Sequence, residues 1–268
     1  MPKIFNTSSQ AQPLCCLKVF SIHLFTHEYS VKITPLLFLF WTYYNTRCLR
    51  QSHLLCVTCL GVSIDQELTF ADHIRSLACR CFFWIRRLRS VRRTLTSDTI
   101  IALVNALIIS RLDYCNNILV GVYDIHLQQL QGVLNAAARL IARRRKFDSI
   151  SSTIRRDVLH WLPIRQHVDF KLSVLTVNCI RNLAPSCLMN MCQPVTGNLH
   201  RRRLRSAVHG DLIVPPMKTV GYGPRSFAVA GPSTWNALPA PLRNDELSTM
   251  SIRHQLKTEL YIRAYYLH

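Results

Sequence analysis

Acidic residues are scarce in this chain: 14 Asp and Glu among 268 residues, against 33 Lys and Arg. No Tyr/Phe-x-Asp-Asp sequence occurs anywhere, which removes the adjacent carboxylates that hold two Mg²⁺ ions in one class of phosphoryl-transfer centre. Asp65, Asp113 and Asp157 stand without a partner at catalytic spacing, and Ser and His fall in no hydrolase motif, so no independent catalytic site and no cofactor are expected. Long apolar runs are missing too. The 14 uncharged residues 33–46 make a helix of about 21 Å against a hydrocarbon core of about 30 Å, and Pro35 interrupts them, so no stable membrane span is expected. No signal peptide is expected: Lys3 is isolated, and no small-residue cleavage site follows an apolar core. With an odd count of 11 cysteines, reduced thiols in an intracellular protein, nuclear or cytoplasmic and not secreted, are expected. No internal repeat is visible.

What is present is an apolar content of 49%, ample for a buried core, and a net charge of +19. Residues 1–70 carry +2, residues 71–160 carry +9 and residues 161–268 carry +8, so the surplus belongs to the last three quarters. Such a surplus repels itself in a compact chain unless polyanions or solvent screen it, which points to a phosphate-rich partner. Arg greatly outnumbers Lys, as suits forked hydrogen bonds to phosphate and stacking on bases.

Along the chain, residues 1–57 are aromatic, Cys-rich and poor in charge, without a sustained period, and read as an unrelated apolar leader, poorly structured. Residues 58–192 read as a helical domain. Leu60 to Asp65 alternate like a short strand, and Asp72 is placed to cap a helix over about 73–93. That helix puts Ile74, Leu77, Cys81, Trp84, Ile85, Leu88 and Val91 on one side. Arg75, Arg86, Arg89 and Arg93 form a narrow stripe on the other, flanked by Arg80 and Arg87. A second helix, capped by Thr96 or Ser97 and running through Ile100, Ile101, Val104, Leu107, Ile108 and Leu112, is apolar nearly all round, as a central core helix would be. A third, from about His126, carries Leu127, Leu130, Leu134, Ala137 and Ile141 and ends in Arg143, Arg144, Arg145 and Lys146, cations suited to the negative end of its dipole. Pro163 can occupy the first turn of a fourth, with Ile164, Val168, Leu172, Leu175 and Cys179, and a short helix through Leu188 follows. Residues 193–268 read as a basic C-terminal region: the cluster Arg201, Arg202, Arg203 and Arg205, then loops with room for two short strands over 212–223, then a helix over about 248–261. The fold class is mainly α, a helical bundle followed by an irregular basic region.

The arginine stripe is either a solvated face or a grip on nucleic acid, and the regional charge favours the second. The 143–146 and 201–205 clusters each have three readings: phosphate contact, nuclear import or solvated termini. Cys56-x-x-Cys59 with Cys79-x-Cys81 has one intervening residue in its second pair where two to four are usual, so no metal site is expected. Trp161 and Trp235 could stack on unpaired bases, but the neighbouring Leu-Pro pairs favour anchoring onto the core.

Five segments occur in an order that resembles one family. They are Leu112-Asp113-Tyr114-Cys115-Asn116, Asn135-Ala136-Ala137-Ala138-Arg139-Leu140-Ile141, His160-Trp161-Leu162-Pro163, Leu183-Ala184-Pro185 through Leu188, and Ser233-Thr-Trp-Asn-Ala-Leu-Pro-Ala-Pro-Leu-Arg243. Together, over about residues 59–268, they resemble the region after the palm in LINE-type (non-LTR) retrotransposon reverse transcriptases of the jockey and chicken-repeat groups. The chain departs from that pattern at Cys187, where Tyr is usual, at Gly223-Pro224-Arg225, where Gly-Asp-Arg is usual, and at Ile252, where Phe is common. The resemblance implies a thumb and tail that hold template RNA and primer DNA, or an RNA–DNA hybrid, with DNA as a further ligand. It also implies that this chain alone is inactive as a polymerase, for want of the carboxylate pair. Two rivals come from other classes: a helical interaction or oligomerisation protein derived from a transposon relic, and membrane association through residues 14–46.

Overall fold

The computed structural model describes residues 56–145, 147–148, 159–195, 210–217, 219–243 and 247–266, and among them the protein is mainly α-helical with one two-stranded sheet. The expected leader and the candidate membrane stretch lie outside the described residues, apart from Cys56 and Val57. No helix among the described residues is long and apolar enough to cross a membrane.

β1 (Cys56–Cys59) and β2 (Val62–Asp65) pair antiparallel, Cys56 opposite Asp65 and Cys59 opposite Val62. Leu60 and Gly61 join them with φ of 48° and 80°, the doubly left-handed turn whose twist suits a hairpin. The strand expected from Leu60 therefore starts at Val62. Asp65 organises the exit, accepting hydrogen bonds from Thr69 N at 2.8 Å, Thr69 Oγ1 at 2.7 Å and Phe70 N at 2.8 Å. Burial alone would raise its pKa, but these bonds prevail and hold it below the ordinary carboxylate value. They leave buried Phe70, with φ of 56°, in the N-cap position of α1 (Ala71–Val91). Asp72 is thus no cap; it lies in the first turn, paired with Arg75 at 3.1 Å.

Ile74, Leu77, Cys81, Ile85 and Leu88 are buried on α1, joined by His73 and Ala78, whereas Trp84 is half-buried and Val91, at the helix end, is exposed. α2 (Ser97–Val104) begins at Thr96, whose hydroxyl accepts from Thr99 N at 3.2 Å. It runs through a π-turn, Asn105–Ile109, into α3 (Ser110–Asp113). This stretch is not the central helix. Only Ile100, Val104, Ile108 and Leu112 are buried, while Ile101, Leu103, Leu107 and Ile109 are half-buried. A four-residue spacing drifts around an ordinary helix of 3.6 residues per turn, and the looser π-turn brings it back into line.

The centre belongs instead to α5 (Ile164–Ile180), which follows α4 (Asp124–Ile141) and on which every residue from Leu172 to Cys179 is buried. Pro163 stands at its N-cap, one position before the first turn. α4 packs along both α1 and α5. After the short α6 (Ser186–Met189), two further helices, α7 (Phe227–Asn236) and α8 (Thr249–Tyr265), close on α5 from the C-terminal region. α7 lies where the sequence reads as irregular. Gly231 and Pro232 are ordinarily breakers, but here the missing Cβ of Gly231 lets α7 rest on α5, where a Cβ would meet Thr176 Oγ1 and the Phe227 ring at 3.0 Å. Tertiary packing thus overrides local preference. Of the two short strands expected over 212–223, the described residues show a single bridge between Pro194 and Leu212. One continuous set of buried side chains runs from Val62 to Leu260.

His73 makes the fold sensitive to acid. Burial first, and Arg80 second, push its pKa down from 6.5 to about 4, and its Nδ1 accepts from Ser63 N at 3.4 Å. The neutral ring is the form the fold binds, so its contribution is complete above about pH 6.5 and is lost as pH falls through about 4. Denaturant midpoints measured between these limits should show a loss of about 2–3 kcal/mol that His73→Gln removes.

Candidate nucleic-acid interface

α1 and α4 end side by side, and their last turns bring together two basic segments some fifty residues apart. Arg89, Arg92 and Arg93 from the end of α1 face Arg139, Arg143, Arg144 and Arg145 from the end of α4 across an open groove of about 430 Å³. Leu140 completes its lining, and among the described residues no carboxylate lines it. Cations are favoured here because the unpaired carbonyls at two helix C-termini carry partial negative charge.

Arg92 makes that pairing of helix ends. It lies four residues after Leu88 and seven after Ile85, so it continues the buried face of α1 and is itself only 7% exposed. Its Nε donates to Leu140 O at 3.1 Å, one Nη to Ile141 O at 3.2 Å and the other to Leu95 O at 3.1 Å. A guanidinium thus caps the C-terminus of the neighbouring helix. Desolvation first, and the Arg143 charge second, lower its pKa from the ordinary arginine value.

α4 ends in a turn that usually requires glycine. Arg143 has φ of 54°, and Arg144 N donates back to Arg139 O at 2.9 Å, the arrangement in which glycine normally occupies the left-handed position. Arg143→Gly should therefore raise stability by about 1 kcal/mol while lowering the salt slope of nucleic-acid binding by about 0.7–0.9, as read by paired unfolding and binding titrations. A gain in stability with unchanged binding would remove Arg143 from the interface.

Arg89, Arg93, Arg143, Arg144 and Arg145, all exposed, are the expected residues that the fold gathers in the groove. Arg86 is exposed one turn before Arg89 and outside the lining. Arg75, 14 residues before Arg89, stands about 21 Å along the helix and is engaged by Asp72. The stripe therefore divides into an end that lines the groove and a remote one. Arg87 lies over the Phe83 ring at 5.4 Å, and the Arg80 side chain donates to Ser76 O. Lys146, Arg201, Arg202, Arg203 and Arg205 lie outside the described residues. Arg92 and Arg139 were not among the expected residues. The signal for Arg92 was a cation in register with an apolar face at a helix end; for Arg139 it was the four-residue step to Arg143.

Side chains and carbonyls of three of the five segments quoted above tie distant parts of the chain together. Asp113 lies 3.0 Å from His167 Nδ1 and 3.8 Å from Lys171 Nζ of α5, and Tyr114 donates its hydroxyl to Leu60 O at 2.8 Å. Trp161 offers its carbonyl to the Tyr265 hydroxyl at 2.8 Å. Trp235 is buried and its Nε1 donates to Gly210 O at 3.0 Å, while Asn236 clasps Leu212 through Leu212 N at 2.9 Å and Leu212 O at 2.8 Å. Arg243 pairs with Asp211. Arg225 is buried as well, donating to Val120 O at 3.3 Å and lying 5.6 Å from the Phe70 ring centre. Cys81 and Cys115 are buried free thiols, and burial pushes them up to about 11 and about 12 respectively. Among the described residues no three His, Cys, Asp or Glu side chains converge as ligands for a metal ion.

No protein-family model, curated protein or solved structure matches this chain.

Proposed function

We propose that this chain grips nucleic acid by its phosphate backbone without reading sequence. The groove between the ends of α1 and α4 carries the proposal: five exposed arginines and two anchored ones, with no carboxylate in the lining among the described residues. Guanidinium groups pair bidentately with phosphate, and such contacts position a strand without discriminating bases. The proposed ligand is RNA or an RNA–DNA hybrid, with DNA as a further one. The proposed origin is the thumb and tail of a LINE-type reverse transcriptase, supported by the five ordered segments; the chain contains no Tyr/Phe-x-Asp-Asp pair for catalysis. Binding across a salt series, with and without the five exposed arginines, tests the grip.

A second reading, a helical interaction protein, draws support from the half-buried Ile101, Leu103, Leu107 and Ile109 on α2 and its continuation. Salt-insensitive, weak nucleic-acid binding together with a defined oligomer would favour it.

A further inference from the structure

The scarce acidic side chains of this protein are placed beside other arginines. Arg75 pairs with Asp72, Arg165 with Asp124, Arg243 with Asp211 and Arg263 with Glu259. Among the described residues no carboxylate pairs with Arg89, Arg93, Arg143, Arg144 or Arg145, so the groove keeps its charge unmatched. Its buried side adds to that charge. The carbonyls that end α4 would turn partial negative charge towards an incoming anion, but Arg92 covers Leu140 O and Ile141 O with its own guanidinium. Arg139, tied through Nε to Asp148 O at 2.7 Å, is a second anchored cation. Like charges held this close repel, and the Arg143 charge is near enough to bear on Arg92.

Charge density decides which anion matches such a site. A space of about 430 Å³ is about 9 Å across if compact, and a duplex strand advances about 3.4 Å per nucleotide, so internal backbone brings roughly three negative charges to seven arginines. Most of the positive charge would stay unmatched. A linear triphosphate brings about −3.5 to −4 over a shorter span, because its terminal phosphate alone carries roughly −1.5 to −2. That terminus also offers three acceptor oxygens for forked pairing with guanidinium groups. Resting on the backbone grip proposed above, we infer that the groove seats a linear triphosphate, as found at the 5′ end of an RNA or on a free nucleotide, in preference to internal backbone. Arginines from α1 and α4 take opposite sides of the phosphate chain, and an attached strand leaves by the open side.

The test compares, on the full chain in magnesium-free buffer, one short oligoribonucleotide bearing a 5′-triphosphate, a 5′-monophosphate or a 5′-hydroxyl, with inorganic triphosphate as a fourth probe. The triphosphate end should bind roughly ten- to hundredfold tighter than the hydroxyl end, the worth of one further charge-assisted contact, with the monophosphate between them. Arg93→Ala with Arg144→Ala, one exposed arginine from each side, should bring that ratio towards one, whereas Arg75→Ala should leave it unchanged. Inorganic triphosphate should displace the triphosphate-ended strand. Weaker binding than the strand end assigns the site to RNA termini, and equal binding assigns it to free polyphosphates. Equal affinity for the three ends, or a ratio that the double substitution leaves untouched, would overturn the triphosphate inference and leave the backbone grip standing. Wild-type protein that binds no probe in a salt-dependent way would overturn both.

Discussion

Replacing Arg89, Arg93, Arg143, Arg144 and Arg145 together by alanine should reduce nucleic-acid affinity by about three orders of magnitude at physiological salt. The size follows from counterion release: each neutralised phosphate contributes about 0.7 to the salt slope on single strands and about 0.9 on duplex, so five contacts contribute roughly 3.5 to 4.5. All five side chains are exposed. Their loss should leave folding intact, and the left-handed strain at position 143 stays, since alanine there keeps a Cβ. Arg92 is excluded from the set because its three bonds to carbonyls hold the ends of α1 and α4 together. Arg75 is the internal control. Engaged by Asp72 and remote from the groove, it should contribute less than any one of the five.

Trp235→Ala should destabilise the protein by about 3–5 kcal/mol without changing the affinity of the remaining folded molecules. The indole is 3% exposed within the core that α7 shares with α5, and its N–H satisfies Gly210 O. Truncation would remove that packing and the clasp that sets Asn236 against Leu212. Trp235→Phe keeps most of the apolar volume and loses the hydrogen bond, so about 1–2 kcal/mol is expected. Urea unfolding of the two variants measures both, and binding under native conditions separates the roles. Weaker binding with unchanged stability would mean that Trp235 meets a base, contrary to its burial.

Periodicity made much of the helical framework legible. The apolar face of α1 from Ile74 to Leu88, the run from Leu127 to Ile141 on α4 and the terminal helix all lie within a few residues of where their spacing puts them. α7 was hidden because Gly231 and Pro232 carry the signature of a turn, and only the contact with Thr176 shows why a helix is tolerated there. The central helix was misplaced for a related reason. Apolar content ranks residues 97–113 as most buried, whereas burial depends on how many neighbours surround an element, and α5 has them on several sides. At the interface, the charge was legible and the convergence was not. Residues 86–93 and 143–146 are separately basic in the sequence, but the meeting of Arg89, Arg92 and Arg93 with Arg143, Arg144 and Arg145 depends on how α1 packs against α4. Arg92 shows the limit most clearly, since a count of cations cannot separate a buried helix cap from a ligand contact.

The most direct measurement is the slope of log K against log salt for the full chain and the five-arginine variant on one nucleic acid. A wild-type slope of roughly 3.5 or steeper, shallower by about 3.5 to 4.5 in the variant at an unchanged unfolding midpoint, is the result a backbone grip requires. Equal slopes for the two proteins would contradict it and return the arginine groove to solvent.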